Sequence, residues 1–148
     1  MGDDMHTVRQ LLNEKSHRSL ITVSPDSTVY QALQVMADQD VGAVLVMEMG
    51  DVVGIFSERD YARRIVLQGR TSVTTPVREI MTSRVVYVKP ENTLQECMAL
   101  MTERHIRHLP VLEDDLVVGM LSIGDLVRAT IAEQQFFIDQ LVQYIQTA

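Results

Sequence analysis

The sequence has no Trp, only three Phe and a single Cys. With so few aromatic side chains, the interior has to be filled mainly by Val, Ile, Leu and the nine Met residues. One Cys excludes an internal disulfide and is typical of a reducing compartment. Because Cys97 lies on the apolar face of a predicted helix, we interpret it as a small core residue rather than a reactive thiol.

Basic residues are scarce as well, since 13 Lys and Arg stand against 20 Asp and Glu, for a formal net charge of −7. Nucleic acids and anionic membranes are bound by basic surfaces, so this balance argues against both partners. The longest apolar run, residues 41–47, is far too short to span a bilayer. The N-terminus shows no secretory leader, and His6 stands where a myristoylation signal needs Ser or Thr. We therefore expect a soluble cytoplasmic protein.

The sequence does contain an internal repeat, because residues 23–63 align with residues 88–128 without a gap. Each copy predicts a short strand, a helix, a hairpin and a second helix. We therefore predict an α/β fold of two β-α-β-β-α units related by pseudo-two-fold symmetry, with small sheets flanked by helices. The identical pairs include Val23/Val88, Pro25/Pro90, Thr28/Thr93, Met36/Met101, Val46/Val111, Gly54/Gly119, Ser57/Ser122, Asp60/Asp125 and Arg63/Arg128.

The predicted boundaries are residues 8–67 for the first unit and 77–130 for the second. Capping boxes at Thr28 with Gln31 and at Thr93 with Glu96 mark the first helix of each copy. The strands that precede these helices are predicted at Leu20 to Val23 and at Val85 to Val88, and the hairpin turns at Gly50-Asp51 and Asp114-Asp115. Residues 68–76, rich in Gly, Ser and Thr, are predicted to form a surface loop between the copies.

Residues 131–148 depart from the repeat and predict an amphipathic C-terminal helix. Glu133 and Asp139 are its only charged residues. Its apolar stripe consists of Ile131, Phe137, Ile138, Leu141, Val142 and Ile145. The stripe could pack against its own domain, but its width at a chain end favours contact with a second chain. We therefore expect a homodimer.

A seven-residue motif occurs once in each copy, as GIFSERD at 54–60 and as GMLSIGD at 119–125. Both versions read Gly, two apolar residues, Ser, two variable residues and Asp, and both lie between a predicted strand and a predicted helix. The Ser and the Asp could simply cap the helix. Alternatively, the hydroxyl, the carboxylate and the free N–H groups of the helix N-terminus could hold a sugar-phosphate.

The repeat, the doubled motif and the segment IRHLPV at 106–111 resemble a pair of CBS domains (cystathionine-β-synthase motif), called a Bateman module, over about residues 8–130. The continuation SERDYAR at 57–63 is similar to stand-alone bacterial members. The resemblance implies a regulatory module, not an enzyme, that binds an adenosine nucleotide and signals to a protein target by a conformational change. AMP is the expected ligand, with ADP, ATP, NAD or NADP as alternatives, and no catalytic cofactor is implied. A ligand-free dimerisation scaffold of the same fold is the alternative function.

The resemblance further implies that each nucleotide pocket is built from both copies, with the Asp on the ribose hydroxyls and the Ser near the phosphate. Pocket 1 would comprise Ile55, Ser57, Arg59, Asp60, Arg63, Thr82, Val86, Ile106, Arg107 and His108. Pocket 2 would comprise Ile21, Val41, Gly42, Ala43, Met120, Ser122, Asp125 and Arg128. The first copy carries extra residues around 13–18, so Ser16 aligns only loosely with the second copy.

Arginines distinguish the two pockets. Arg59, Arg63, Arg64 and Arg70 lie at or after the first motif, and Arg104 and Arg107 would come from the facing copy. Because guanidinium groups pair well with phosphate, we predict tighter binding of phosphate-rich nucleotides at the first pocket. Solvated ion pairs with Glu58 and Asp60 are the alternative. His105 and His108 have no third ligand at useful spacing, so we expect no metal site. No nucleophile, base and acid set is apparent, which argues against an enzyme.

Overall fold

The computed structural model describes residues 6–15 and 20–147. Ser16 and Ala148 lie outside these described residues. The α/β class predicted from the sequence, with small sheets flanked by helices, is confirmed. In chain order the elements are α1 (Val8–Glu14), β1 (Thr22–Val23), α2 (Val29–Gln39), β2 (Ala43–Glu48), β3 (Asp51–Ser57), α3 (Glu58–Tyr61) continued by a π-helical turn (Ala62–Val66), a 3-10 turn (Val77–Glu79), α4 (Leu94–Arg104), β4 (His108–Glu113), β5 (Leu116–Ser122) and α5 (Ile123–Thr147).

The chain divides into two compact units. The first unit is Leu20–Val85, and the second joins the segment that precedes Leu20 to the chain from Val86 onward. Helix α1 therefore belongs to the second unit, and the 3-10 turn belongs to the first. The boundaries predicted from the repeat, 8–67 and 77–130, instead group each of these two segments with the copy that follows it in sequence.

The first unit contains a three-stranded sheet of order β1-β2-β3. Strand β1 pairs in parallel with β2, and β2 pairs antiparallel with β3. The core beneath this sheet is almost entirely aliphatic, with one fully buried aromatic side chain, Phe56. It therefore matches the expectation from the scarcity of aromatic residues.

The second unit contains the two-stranded sheet β4-β5. The strand predicted at Val85 to Val88 is wrong in extent, because only Val88 pairs, through an isolated parallel bridge to Val111. In the first unit the backbone N–H of Leu45 donates to the Ile21 carbonyl. Pro110 occupies the equivalent position of β4 and has no N–H to donate, so the corresponding bond cannot form.

The two hairpins are otherwise alike. Ala43 lies opposite Ser57 in the first, and His108 lies opposite Ser122 in the second. Each hairpin also has a register shift at the same point, after Val46 and after Val111. The predicted turn at Asp114-Asp115 is confirmed, with positive φ at both residues. In the first hairpin positive φ falls on Met49 and Gly50, one residue earlier than predicted, because Asp51 already belongs to β3.

The helix ends follow local sequence signals. Both predicted capping boxes are present at α2 and α4, and a third, Thr7 with Gln10, begins α1. Helix α5 runs without interruption and is exposed from Gln134 to its end. No helix among the described residues is long and apolar enough to cross a membrane. Cys97 is fully buried, as its core position predicts, and burial raises the pKa of its thiol to about 11.

In each unit, a short segment packs on one copy of the repeat but directly precedes the other copy in sequence. These leading segments, residues 7–15 and 76–84, bury Val8 and Leu11 in the second core and Val77 and Ile80 in the first. Their arginines form matching ion pairs on the surface. Arg9 contacts Glu113 at 2.6 Å and Glu91 at 3.2 Å, and Arg78 contacts Asp26 at 2.9 Å and Glu48 at 3.1 Å. The leading segments thus pack in the same way in both units.

Candidate functional site

The first motif forms a corner between β3 and α3, which we call the Asp60 corner. The hydroxyl of Ser57 accepts from the backbone N–H of Asp60 at 3.2 Å. In return, Oδ2 of Asp60 accepts from the backbone N–H of Ser57 at 3.0 Å and from its hydroxyl at 3.1 Å. The second oxygen, Oδ1, accepts from the hydroxyl of Thr82 at 3.2 Å. The capping interpretation is therefore correct, and it also holds the carboxylate in one orientation.

Several predicted pocket residues of the first unit surround this corner. Ile55 and Thr82 exchange two backbone hydrogen bonds of 2.9 Å. The Gly42 carbonyl accepts from the N–H of Glu58 at 3.1 Å. A Cβ on Gly54 would lie 2.6 Å from the Met81 sulfur and 2.9 Å from the Thr82 carbonyl oxygen. The first Gly of the motif thus allows the leading segment to approach β3 closely.

Two of the arginines that follow the Asp60 corner bond to their own unit. Arg64 donates to the carbonyl oxygens of Ile80 and Met81 at 3.0 Å each, and Arg70 pairs with Glu79. Arg59 and Arg63 are exposed. The guanidinium groups of Arg64 and Arg70 thus already bond to partners in the first unit. The prediction from the sequence had grouped both with the arginines that would bind phosphate.

The second motif forms the equivalent corner between β5 and α5, the Asp125 corner. The two reciprocal backbone capping bonds are repeated here, since Ser122 N–H donates to Oδ2 of Asp125 at 2.8 Å and Asp125 N–H donates to the Ser122 hydroxyl at 3.2 Å. Here, however, two cations contact the carboxylate. The Lys15 ammonium lies 2.9 Å from Oδ2, and Arg128 lies 2.6 Å from Oδ1.

Burial and charge set the protonation of the Asp125 corner. Burial alone would raise the pKa of Asp125, but the hydrogen bond from the Ser122 backbone and the ion pair with Lys15 lower it below its usual value. The carboxylate is therefore charged at neutral pH. Burial lowers the pKa of His108, against a smaller opposing effect of Asp125, so its imidazole is neutral at pH 7. The backbone carbonyl of Arg107 accepts from Ile123 N–H at 2.8 Å.

The predicted pocket residues divide between the two units. The first unit contains Ile21, Val41, Gly42, Ala43, Ile55, Ser57, Arg59, Asp60, Arg63 and Thr82, and the second contains Val86, Ile106, Arg107, His108, Met120, Ser122, Asp125 and Arg128. The membership of pockets 1 and 2, which draws on both units, stays a prediction. Lys15 was missed, because it lies outside the residues that the repeat aligns, 23–63 and 88–128. Within the described ranges, no group of three His, Cys, Asp or Glu residues could hold a metal ion.

Comparison with known proteins identifies the family. The CBS domain model matches residues 8–67 and 77–132. A CBS domain-containing protein of Arabidopsis thaliana, CBSX3, mitochondrial, is 39% identical over 153 residues, covering 98% of this chain and 74% of that protein. A solved structure of a protein with CBS domains from Burkholderia ambifaria is 51% identical, with a TM-score of 0.83 over 86% of this chain and 96% of its own.

A more distant structure is also similar in fold. It is the CBS domain pair of protein MJ0100, in complex with 5′-methylthioadenosine and S-adenosyl-L-methionine. Its TM-score is 0.76 at 20% identity, covering 87% of this chain and 98% of that one, so the likeness shows the fold alone. Since the family match covers both copies of the repeat, this chain belongs to the CBS-domain family.

Proposed function

We propose that this chain is a regulatory module that binds an adenosine nucleotide at its Asp60 and Asp125 corners and signals to a protein target by a conformational change. The observation that carries the proposal is the fixed carboxylate of each corner, oriented by its own capping box at the same register in both units. The ligands of the MJ0100 pair, which both contain adenosine, support this ligand class.

The chemistry of the corners suits a nucleoside sugar. A carboxylate is purely an acceptor, and the two hydroxyls of a ribose can both donate to it. The helix that begins at each corner directs early backbone N–H groups and its positive dipole end toward the same place, which favours a phosphate nearby. AMP satisfies both requirements with the fewest atoms, and NAD or NADP are the alternatives.

We further propose that the module is not catalytic. The serines of both corners are engaged in helix capping, through backbone N–H groups and the corner carboxylates. The usual base for a Ser nucleophile is a neighbouring His, whereas the Ser57 hydroxyl donates to the carboxylate that caps its own helix. Incubation of ATP or NAD with the protein, followed by chromatography, should therefore leave the nucleotide unchanged.

A ligand titration tests the proposed function directly. Thermal shift and calorimetry with AMP, ATP, NAD and NADP should show stabilisation by at least one nucleotide. Asp60→Asn and Asp125→Asn should each weaken binding at their own corner by about tenfold or more, because a charge-assisted hydrogen bond to the ribose is lost. Asp38→Asn, a change at an exposed residue of α2, is the matched control and should bind as the unmodified protein does. No response to any nucleotide would leave the ligand-free scaffold as the function.

We also propose that the exposed part of α5 pairs with a second copy of this chain. Phe136 and Phe137 are 64% and 63% exposed, and Ile138, Leu141 and Val142 are exposed as well. The only charged residue in this part is Asp139, so two copies of the face meet with little like-charge repulsion. Light scattering should therefore report a dimer that Leu141→Glu dissociates and that the matched polar change Gln140→Glu does not. A monomeric unmodified protein would contradict this pairing.

A cytoplasmic location is the remaining part of the proposal, and it rests on the single Cys and the acidic composition. The name of the Arabidopsis relative assigns that protein to mitochondria. Fractionation of cells that express a tagged full chain would decide the location, and recovery with a membrane-enclosed compartment would contradict it.

A further inference from the structure

Lys15 occupies a defined place at the Asp125 corner. Its ammonium donates to the carbonyl oxygen of Met120 at 2.8 Å and to Oδ2 of Asp125 at 2.9 Å. An ammonium has three donors, and two of them make these bonds to described residues. The side chain of Lys15 is 28% exposed, whereas that of Asp125 is 8% exposed. The ammonium therefore lies between a buried carboxylate and solvent.

Helix α1 carries Lys15 to this place through buried contacts. Val8 and Leu11 are in the core of the second unit, and the Lys15 N–H donates to the Leu11 carbonyl at 3.2 Å. A Cβ on Gly119 would come within 2.8 Å of a methyl group of Leu12, so α1 packs closely against β5. The buried contacts of α1 therefore fix the position of the Lys15 ammonium before any ligand binds.

The first unit shows that the corner itself does not need a lysine. Asp60 has the same capping bonds as Asp125, and the leading segment of its unit contributes the neutral hydroxyl of Thr82 in place of an ammonium. The capping geometry is therefore compatible with an uncharged donor. A purely structural role leaves unexplained why the second unit uses two cations, Lys15 and Arg128, on one carboxylate.

We propose that Lys15 is a ligand-binding residue of the Asp125 corner and that it selects phosphate-bearing nucleotides over the uncharged nucleoside. Two cations against one carboxylate leave this corner with excess positive charge, and neutral His108 does not alter that excess. A ribose hydroxyl is neutral and needs no cation, whereas a phosphate gains a charge-assisted bond from one. This inference rests on the proposed function, since it specifies the ligand class of one of its two sites.

The test compares AMP with adenosine by calorimetry in an Asp60→Asn background, which leaves the Asp125 corner as the intact site. Lys15→Met removes the charge and keeps the apolar stem, while Lys89→Met is a matched control that removes the charge of an exposed lysine in the same unit. AMP should bind more tightly than adenosine to the Asp60→Asn protein. Lys15→Met should raise the Kd for AMP by about tenfold and leave that for adenosine within about twofold. Lys15→Arg should retain the preference, and Lys89→Met should change neither ligand.

Every other outcome contradicts either the role of Lys15 or the proposed function. Equal loss of AMP and adenosine in Lys15→Met, or no loss of either, overturns the role of Lys15. Equal affinity of the Asp60→Asn protein for AMP and adenosine also overturns the role of Lys15. This comparison needs no change at Lys15, so the test stands even when Lys15→Met folds poorly. Binding by the unmodified protein but not by Asp60→Asn also overturns this inference and leaves the proposed function in place. Failure of the unmodified protein to bind AMP or adenosine, while ATP, NAD or NADP binds, overturns this inference alone, and failure to bind any of them overturns the proposed function itself.

Discussion

The Asp60 and Asp125 corners share a motif, a register and a capping pattern, yet they differ in what reaches the carboxylate. At Asp60 the leading segment contributes the hydroxyl of Thr82, and at Asp125 it contributes the ammonium of Lys15. The duplicated motif therefore determines where the carboxylate lies. The leading segment determines part of the charge beside it, and Arg128 of α5 adds the second cation at Asp125. A repeat can thus keep its backbone geometry while its two sites diverge in electrostatics.

The contrast also shows that a cation close to a motif in sequence need not contact the carboxylate of that motif. Arg64 and Arg70 follow the first motif closely in sequence, but they bond to Ile80, Met81 and Glu79. Lys15 is far from Asp125 in sequence and in direct contact with it. Proximity along the chain is therefore a poor guide to which corner receives a phosphate, because packing decides where each long side chain ends.

The largest difference between the corners should appear when each Asp is removed. Asp125→Ala should lower the free energy of unfolding by about 3 kcal/mol, because it leaves Lys15 partly buried without its counter-ion. Asp60→Ala should cost only about 1 kcal/mol, the usual effect of a lost helix cap. Urea denaturation of both variants measures the two losses. Equal losses would show that the cations at Asp125 contribute nothing to stability.

The first Gly of each motif offers the next comparison. Gly54→Ala should cost about 2 kcal/mol, because its new methyl group meets the backbone oxygen of Thr82 as well as Met81. Gly119→Ala should cost about 1 kcal/mol, because it meets only the end of the Leu12 side chain, which can rotate away. Thermal and urea denaturation give both values. A greater loss for Gly119→Ala would contradict this explanation.

Acid should act on the Asp125 corner in a defined direction. The pKa of Asp125 is lower in the folded chain than its usual value, so its charge stabilises the fold fully above the unfolded pKa of about 4. That contribution is lost as the pH falls through the folded pKa. The stability difference between the unmodified protein and Asp125→Asn should therefore be constant at neutral pH and shrink below about pH 4.

The smallest effects should come from the surface ion pairs of Arg9 and Arg78. Both arginines are exposed, and each contacts two carboxylates at equivalent positions. Exposed pairs contribute little, because water and salt screen them. Arg9→Ala and Arg78→Ala should therefore shift the melting temperature slightly and equally, and less at high salt. Unequal shifts would mean that the two leading segments are not equivalent.

Much of the fold could be predicted from the sequence, because its signals are local. The capping boxes at Thr28 and Thr93 and the turn at Asp114-Asp115 depend on residues three or fewer positions apart. The missing strand before α4 could not be predicted locally, because Pro110 removes a hydrogen bond from a strand elsewhere in the chain. Leu45 of the first copy aligns with Pro110 of the second, and only Leu45 has a backbone N–H that can pair with the preceding strand.

The site was predictable in its motif and not in its surroundings. Ser57, Asp60, Ser122 and Asp125 stand out because they recur at one spacing. Lys15 lies outside the residues that the repeat aligns, and its contact with Asp125 joins residues 110 positions apart. No periodicity or spacing rule links such distant residues, so only the packing of α1 against β5 reveals it.

The separation of α1 from the rest of its unit has a consequence for synthesis. The first unit is complete once Val85 has left the ribosome, so its sheet and core can form while the chain is still growing. Helix α1 is made earlier, but the strands and helices that bury Val8 and Leu11 come after Val86. Seven residues are too few for a helix to be stable alone in water. Helix α1 should therefore fold later than the first unit, and Lys15 should reach Asp125 only after β5 and the start of α5 have been made.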